Sequence, residues 1–171
     1  ATAGQNGENL GSDEEQVVLF VYLLYDVANN KSVCLQQHYV RPTADDISET
    51  VLTEECKIQT GLSEDAIRNA QPLEQILEEL DQFMRTKEVH PDQGGRSMAF
   101  CVDGQLHHRL CLHPEACRKN IQLHQHFYSF FDIRKEFKKF YKNERPINCI
   151  KDMLDFLGTE EDQTVEYGVK Q

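Results

Sequence analysis

A nine-residue apolar run, Val17 to Tyr25, constrains the fold more than any other feature of the sequence. β-Branched and aromatic residues dominate this run, which is too short for an average helix, so it predicts a strand buried on both faces. The turn residues Ala28 to Lys31 follow, and residues 33–41 alternate between apolar and polar side chains. This order predicts a β-hairpin that ends at Arg41-Pro42.

Helices and strands alternate through the rest of the chain. Short helices are expected between Asp45 and Ala70, with Thr53 as an N-cap and Gly61 as a terminator. The clearest helix is Pro72 to Lys87, where apolar residues recur at spacings of three and four. The pattern then predicts strands at Ser97–Val102 and Phe127–Phe131, and helices at Gln105–Asn120 (interrupted at His113-Pro114), Ile133–Tyr141 (capped by Asp132) and Ile147–Leu157 (closed by Gly158). A hairpin followed by strand–helix units is an α/β layout with a mixed sheet.

Composition narrows the class of protein. The 171 residues fit one domain, and the longest apolar run is less than half of what a membrane-spanning helix needs. Six cysteines fall in apolar periodic segments with no signal peptide before them, so we expect an intracellular protein with reduced thiols.

Charge is unevenly distributed along the chain. The net charge is -11, which argues against a protein that wraps duplex nucleic acid. Residues 1–90 hold 17 acidic and 6 basic residues, whereas residues 91–171 hold 12 of each. An anion-binding surface is therefore expected in the second half.

Two segments could carry chemistry. The window 101–126 is rich in Cys and His, but it contains no Cys-x-x-Cys pair, so core cysteines and surface histidines are favoured over a zinc site. The segment 132–145 holds six of the 18 basic residues. On a helix, Arg134, Lys138 and Lys142 share one line, with Lys135 and Lys139 beside it. We call these five residues the basic stripe, which could bind RNA phosphates or an acidic peptide. The alternative is a solvated helix face balanced by neighbouring acids.

Four parts of the sequence give the chain a family resemblance. The segment Gln16 to Ile67, the string AFCVDGQL (99–106) and the string FFDIRK (130–135) resemble the DEDD-type 3′-5′ exonucleases, and EYGVKQ (166–171) is similar to their third acidic motif. The resemblance implies an RNase H-like fold of class α/β, with a mixed β-sheet and helices on both faces. It also implies a single exonuclease-like domain over residues 1–171, which we expect to be truncated at both ends.

A second resemblance depends on longer and more specific sequence strings. The strings GSDE (11–14), CVDGQLH (101–107), LHPEA (112–116) and FYSFFDIRKEFKK (127–139) closely resemble the N-terminal region of the epithelial splicing regulatory proteins, the family that includes Fusilli. This implies a nuclear RNA-binding regulator of alternative mRNA splicing and mRNA processing. Its implied partners are pre-mRNA, bound through the full-length protein, and proteins of the splicing machinery.

The exonuclease resemblance departs from the family pattern at the catalytic positions. Active members hold two divalent metals with four carboxylates. In this sequence the positions that match them or the catalytic base carry Ala1, Gln105, Glu166 and Gln171. A neutral amide is a poor substitute for a carboxylate toward Mg²⁺. We therefore expect no catalytic residues, no metal, no cofactor and no enzymatic activity; the alternative is an active metal-dependent 3′-5′ exonuclease acting on single-stranded RNA or DNA.

The start of the chain bears on assembly. In the family, a central strand that carries the first acidic motif would precede Ala1. Without it, the apolar strand 17–25 would have an uncovered edge, and such edges invite pairing with another chain. We expect a homodimer of this fragment, or strand exchange between copies; the alternatives are that another segment fills the slot or that it stays a destabilising groove.

Overall fold

The computed structural model describes residues 16–42, 52, 54–93 and 98–159. Its strands are β1 (Leu19–Asp26), β2 (Lys31–Arg41), β3 (Gln71–Pro72), β4 (Phe100–Val102) and β5 (Phe130–Asp132). Its α-helices are α1 (Glu54–Thr60), α2 (Glu64–Arg68), α3 (Leu73–Thr86), α4 (His113–Arg118), α5 (Ile133–Tyr141) and α6 (Ile150–Leu157). A π-helix spans Leu106–Leu112, and short 3₁₀ turns lie at Pro91–Gln93 and Gln125–Tyr128. No helix in these ranges is both long enough and apolar enough to cross a membrane.

The predicted hairpin is confirmed. Strands β1 and β2 pair antiparallel, with a bulge at Leu24/Tyr25, and Asp26 accepts the backbone N–H of Asn29 to fix the turn. Strand β3 adds to β2 in parallel, so the order of this sheet is β1-β2-β3. Strands β4 and β5 form a second, parallel sheet. The expected mixed sheet is therefore present as two pieces within the described residues.

Two separate groups of buried residues pack around the first sheet, one with α3 and the other with α1 and α2. Val17 packs with Val40 and with the apolar face of α3, whose buried members are Leu73, Ile76, Leu77, Leu80 and Met84. Val18 and Leu19 instead pack with Leu52, Cys56, Leu62 and Ile67, around α1 and α2. Full burial of one such side chain stabilises the fold by roughly 1.5–3 kcal/mol.

The expectation that residues 17–25 are buried on both faces throughout is wrong. Val17 to Leu19 are buried, but Leu23 is 53% exposed and Tyr25 44% exposed. The distal half of β1 extends beyond the helices and carries the turn, and within the described ranges it pairs with β2 alone. The homodimer stays a prediction, which sedimentation equilibrium of the chain would test.

Several predicted boundaries shift. Pro72 is the N-cap of α3 instead of its first residue, and no break occurs at His113-Pro114, because proline in the first turn of α4 needs no hydrogen-bonded N–H. Residues 125–128 form a 3₁₀ turn, and the predicted strand there begins at Phe130. The span of α5 is as predicted, Gly158 ends α6 in the left-handed region, and the Thr53 cap lies outside the described residues.

Candidate nucleic-acid interface

An ion pair between Asp103 and Arg134 lies directly after the carboxyl end of β4. Arg134 Nε and Nη2 donate to the two carboxylate oxygens of Asp103 at 2.6 and 2.9 Å, and Nη2 also reaches the Asp103 carbonyl. These hydrogen bonds raise the pKa of Arg134. Gly104, with φ +76°, lies against the guanidinium, and a Cβ there would meet Arg134 Cζ at 3.2 Å. Arg134 is therefore taken out of the predicted basic stripe by a contact within the chain.

Helix α5 begins where β5 ends, at Asp132. The Asp132 carboxylate accepts the backbone N–H groups of Arg134 and Lys135, as predicted for an N-cap. Lys135 Nζ lies 3.8 Å from the same carboxylate, although its side chain is 65% exposed. The cap thus fixes the direction in which α5 leaves the sheet and presents its lysines.

Three lysines of the predicted stripe are exposed together. Lys135 and Lys139 are four residues apart on one face of α5, with half-buried Lys138 beside them. Lys142 follows directly after the helix as its left-handed C-cap residue. Among the described residues, no carboxylate lies within ion-pair distance of Lys138, Lys139 or Lys142. We call Lys135, Lys139 and Lys142 the lysine face.

A shallow hollow of about 250 Å³ adjoins the lysine face. Its lining consists of Gln105, Arg109, Phe130, Phe131, Asp132, Lys135 and Glu136. Arg109 lies over the Phe130 ring at 5.2 Å, and Phe131 is 55% exposed. The hollow thus combines two cations, two carboxylates, two aromatic rings and an amide. Sequence reasoning missed Arg109 and Phe131 as site residues, because Arg109 was counted within a Cys/His window and Phe131 as a strand residue.

The Cys/His window only partly matches the expectation of core cysteines and surface histidines. His108 is buried, and its Nε2 and that of His113 both donate to the carbonyl of Phe127, at 2.5 and 3.1 Å. Burial lowers the pKa of His108. Cys111 is buried, whereas Cys101 and Cys117 are exposed.

A separate group of histidines surrounds Asp81 of α3. His90 Nε2 lies 2.7 Å and His124 Nε2 3.4 Å from Asp81 Oδ1, and Arg85 Nε donates to Oδ2 at 2.7 Å. Burial opposes ionisation of Asp81, but hydrogen bonds from Arg85 and His90 outweigh it, so the pKa is lowered. His126 stacks on His124, and none of the described groups hydrogen-bonds to its buried Nε2. Burial, then the neighbouring His124 and His90, lowers the pKa of His126.

The metals implied by the exonuclease resemblance do not fit the described residues. No group of three or more His, Cys, Asp or Glu side chains in this part of the chain could hold a metal ion. Asp103 is held by Arg134, and Gln105 precedes the π-helix and lines the hollow. The other three degenerate positions, Ala1, Glu166 and Gln171, lie outside the described residues, so the predicted loss of the site stays a prediction.

The chain was compared with protein families and with individual proteins of known sequence. No family model matches the chain. It is 30% identical over 129 residues to mouse 3'-5' exoribonuclease 1 and 27% identical over 128 residues to the rat protein, in each case across 74% of this chain. The chain spans about a third of the length of these curated relatives, 34% in each case.

Solved structures extend the match to nearly the whole chain. The nuclease domain of 3'hExo, a DEDDh family member bound to rAMP, superposes with a TM-score of 0.84 at 22% identity, covering 99% of this chain and 81% of that one. The fold is that of a DEDDh exonuclease domain. Cell-death related nuclease 4 matches with a TM-score of 0.75 at 20% identity, across 99% of this chain and 57% of that one. The predicted RNase H-like class is thereby confirmed.

The expectation that the chain is not an enzyme is wrong. The relatives by sequence and the neighbours by structure are 3′-5′ exonucleases, and they point to an enzyme. That expectation depended on four positions, of which only Gln105 lies within the described residues. A single neutral side chain in the described part is too little to outweigh matches across most of the chain.

Proposed function

We propose that the chain is the nuclease-type part of a 3′-5′ exonuclease that acts on RNA. The observation that carries the proposal is the match to 3'-5' exoribonuclease 1 across 74% of this chain. Two structural neighbours support RNA as the substrate: one holds rAMP, and the other recognises the 3′ end of a histone mRNA stem-loop. Hydrolysis of the terminal phosphodiester bond would add one water and release one mononucleotide.

The described residues would contribute binding and orientation to this reaction. The lysine face and Arg109 supply positive charge at the carboxyl ends of the parallel strands β4 and β5, where ligands commonly bind in α/β sheets. Since these residues do not fit the family's metals, no chemical step is assigned to them.

The test is degradation of a 5′-labelled single-stranded RNA by the purified chain with Mg²⁺ or Mn²⁺. We expect a ladder of products that shorten from the 3′ end, and no ladder with EDTA. A DNA oligonucleotide of the same sequence tests the choice of RNA over DNA, and a 3′-blocked RNA controls for cleavage within the strand. Intact RNA under every metal condition would count against the proposal.

A second candidate function is regulation of alternative mRNA splicing in the nucleus, through contacts with pre-mRNA and splicing proteins. The observation that favours it is the resemblance of the strings CVDGQLH (101–107), LHPEA (112–116) and FYSFFDIRKEFKK (127–139) to the epithelial splicing regulatory proteins. A splicing reporter that responds to the protein, together with nuclear fluorescence of a tagged form, would support this role. RNA shortening and exon inclusion are separate readouts of the same protein.

A further inference from the structure

We infer that the lysine face and the adjoining hollow form one track for single-stranded RNA, with phosphates on the lysines and a base in the hollow. The inference rests on the proposed function, because it names where the RNA of that function is held. The hollow is lined by residues of the π-helix, of β5 and of the first turn of α5.

The hollow and the lysine face are continuous. Lys135 belongs to both parts, since it lines the hollow and begins the lysine face. Lys139 follows it about 6 Å further along the helix axis, at a rise of 1.5 Å per residue, and Lys142 comes next at the C-cap of α5. A strand that leaves the hollow past Lys135 therefore meets two more ammonium groups in succession.

The lysine face is a local concentration of positive charge on an acidic protein. The chain has a net charge of -11, yet within the described residues Lys139 and Lys142 have no carboxylate at ion-pair distance. Among the described residues, Lys31 and Lys87 also lack such a partner, so the lysine face differs from them in bringing three ammonium groups together along one short segment. Local positive charge on an acidic protein attracts anions to that place alone.

The chemistry of the hollow favours a nucleotide over an acidic peptide. Phe131 offers an exposed ring for stacking, Arg109 lies over the Phe130 ring beside it, and Gln105 carries an amide that can donate and accept. Aromatic rings next to a positively charged groove are the usual platform for single-stranded nucleic acids. The hollow also contains Asp132 and Glu136, but Asp132 accepts two N–H groups of α5 and lies near Lys135, so its charge is partly compensated.

The structure also revises the predicted stripe. Arg134 is bound to Asp103 and Lys138 is half-buried, so neither belongs to the track. Arg109 and Phe131 replace them. The track is thus a specific subset of the basic residues, which variants can separate from the rest.

The experiment is a binding titration in EDTA, which prevents degradation, with a short 5′-fluorescein-labelled oligouridylate followed by anisotropy over a range of KCl concentrations. The test variant is Lys139→Gln/Lys142→Gln, and its matched control is Lys31→Gln/Lys87→Gln, which changes net charge equally at exposed lysines elsewhere. A second pair is Phe131→Ala against Phe140→Ala, an exposed ring on the opposite side of α5. Urea denaturation confirms that each variant is folded.

The lysine variant should flatten the slope of log K against log salt by about 1.4, because each lost contact to a single strand removes roughly 0.7. Phe131→Ala should weaken binding roughly 5-fold or more with the slope unchanged, as expected for lost base stacking. Both controls should match wild type.

A wild-type slope in the lysine variant, equal losses in test and control pairs, or no RNA binding by wild type would overturn the inference. Equal binding of polyglutamate with the same slope change would assign the face to acidic polypeptides and would overturn it too. Failure of the proposed function looks different: RNA would remain intact with Mn²⁺ while the binding and slope effects persisted.

Discussion

Helices α3 and α5 are both amphipathic, but the structure uses their apolar faces differently. Five residues of α3 are buried against the first sheet, whereas none of the described side chains of α5 is buried. Phe140 of α5 is 78% exposed, and Leu80 of α3 is 3% exposed. An apolar stripe in the sequence therefore indicates which face of a helix is apolar, but not how much stability that face contributes. We therefore expect substitutions in α3 to change the stability of the fold, and substitutions on the exposed surface of α5 to change ligand binding.

The largest expected effect lies at a buried carboxylate next to the core that α3 helps to form. Glu115 of α4 is fully buried, and its carboxylate accepts the backbone N–H of Val17 at 2.6 Å and the ammonium of Lys119 at 2.6 Å. Replacing Glu115 with Ala leaves both donors without their partner and should cost about 3–5 kcal/mol of unfolding free energy. Urea denaturation measures this, with exposed Glu136→Ala as the control. Equal urea midpoints for Glu115→Ala and Glu136→Ala would contradict this role of Glu115.

The next effect separates α3 from α5 directly. Leu80→Ala opens a cavity in the core and should lower the unfolding free energy by about 2–5 kcal/mol. Phe140→Ala removes a ring that is already in water and should change it by roughly 0.5 kcal/mol or less. The same denaturation experiment serves both. Similar losses would mean that α5 is as much a part of the core as α3.

A smaller effect is expected at the Asp103–Arg134 pair. Asp103→Asn keeps the shape but removes the charge, and because both side chains are partly exposed, the loss should be about 1 kcal/mol or less. Calorimetry at low and high salt measures it, and the difference from wild type should shrink as salt rises. A loss as large as that of Leu80→Ala would place this pair in the core instead.

The stability of the fold should also depend on pH through two partly or fully buried histidines. Burial lowers the pKa values of His108 and His126 below the ordinary value near 6.5. Their neutral forms favour the folded state, so the stability they contribute is complete above about pH 6.5 and falls as pH drops through that value toward the folded-state pKa. His126→Phe should reduce the loss of stability between roughly pH 7 and pH 5. An unchanged pH profile would contradict the assignment to His126.

The sequence was sufficient for elements whose signals are local. The hairpin, α5 with its Asp132 cap and the Gly158 terminator depend on turn, cap and helix-period residues that act within a few positions. Positions set by tertiary contacts were not predictable. The pairing of Arg134 with Asp103 joins residues 31 positions apart, and it removed a residue that helical geometry alone had placed in the basic stripe. The exposure of Leu23 likewise depends on where the covering helices end, which no period in β1 encodes.

The bond from Glu115 to the Val17 N–H has a consequence for how the chain folds during synthesis. It spans 98 positions, so the amide before β1 has no carboxylate partner until most of the described chain has left the ribosome. Closing so long a loop costs entropy before the contact can form, which slows folding and lengthens the time that the early strand is unprotected. The hairpin can form early, but it is fixed against α4 only late. The interval between these two events is when the apolar first strand is most open to aggregation and to capture by chaperones.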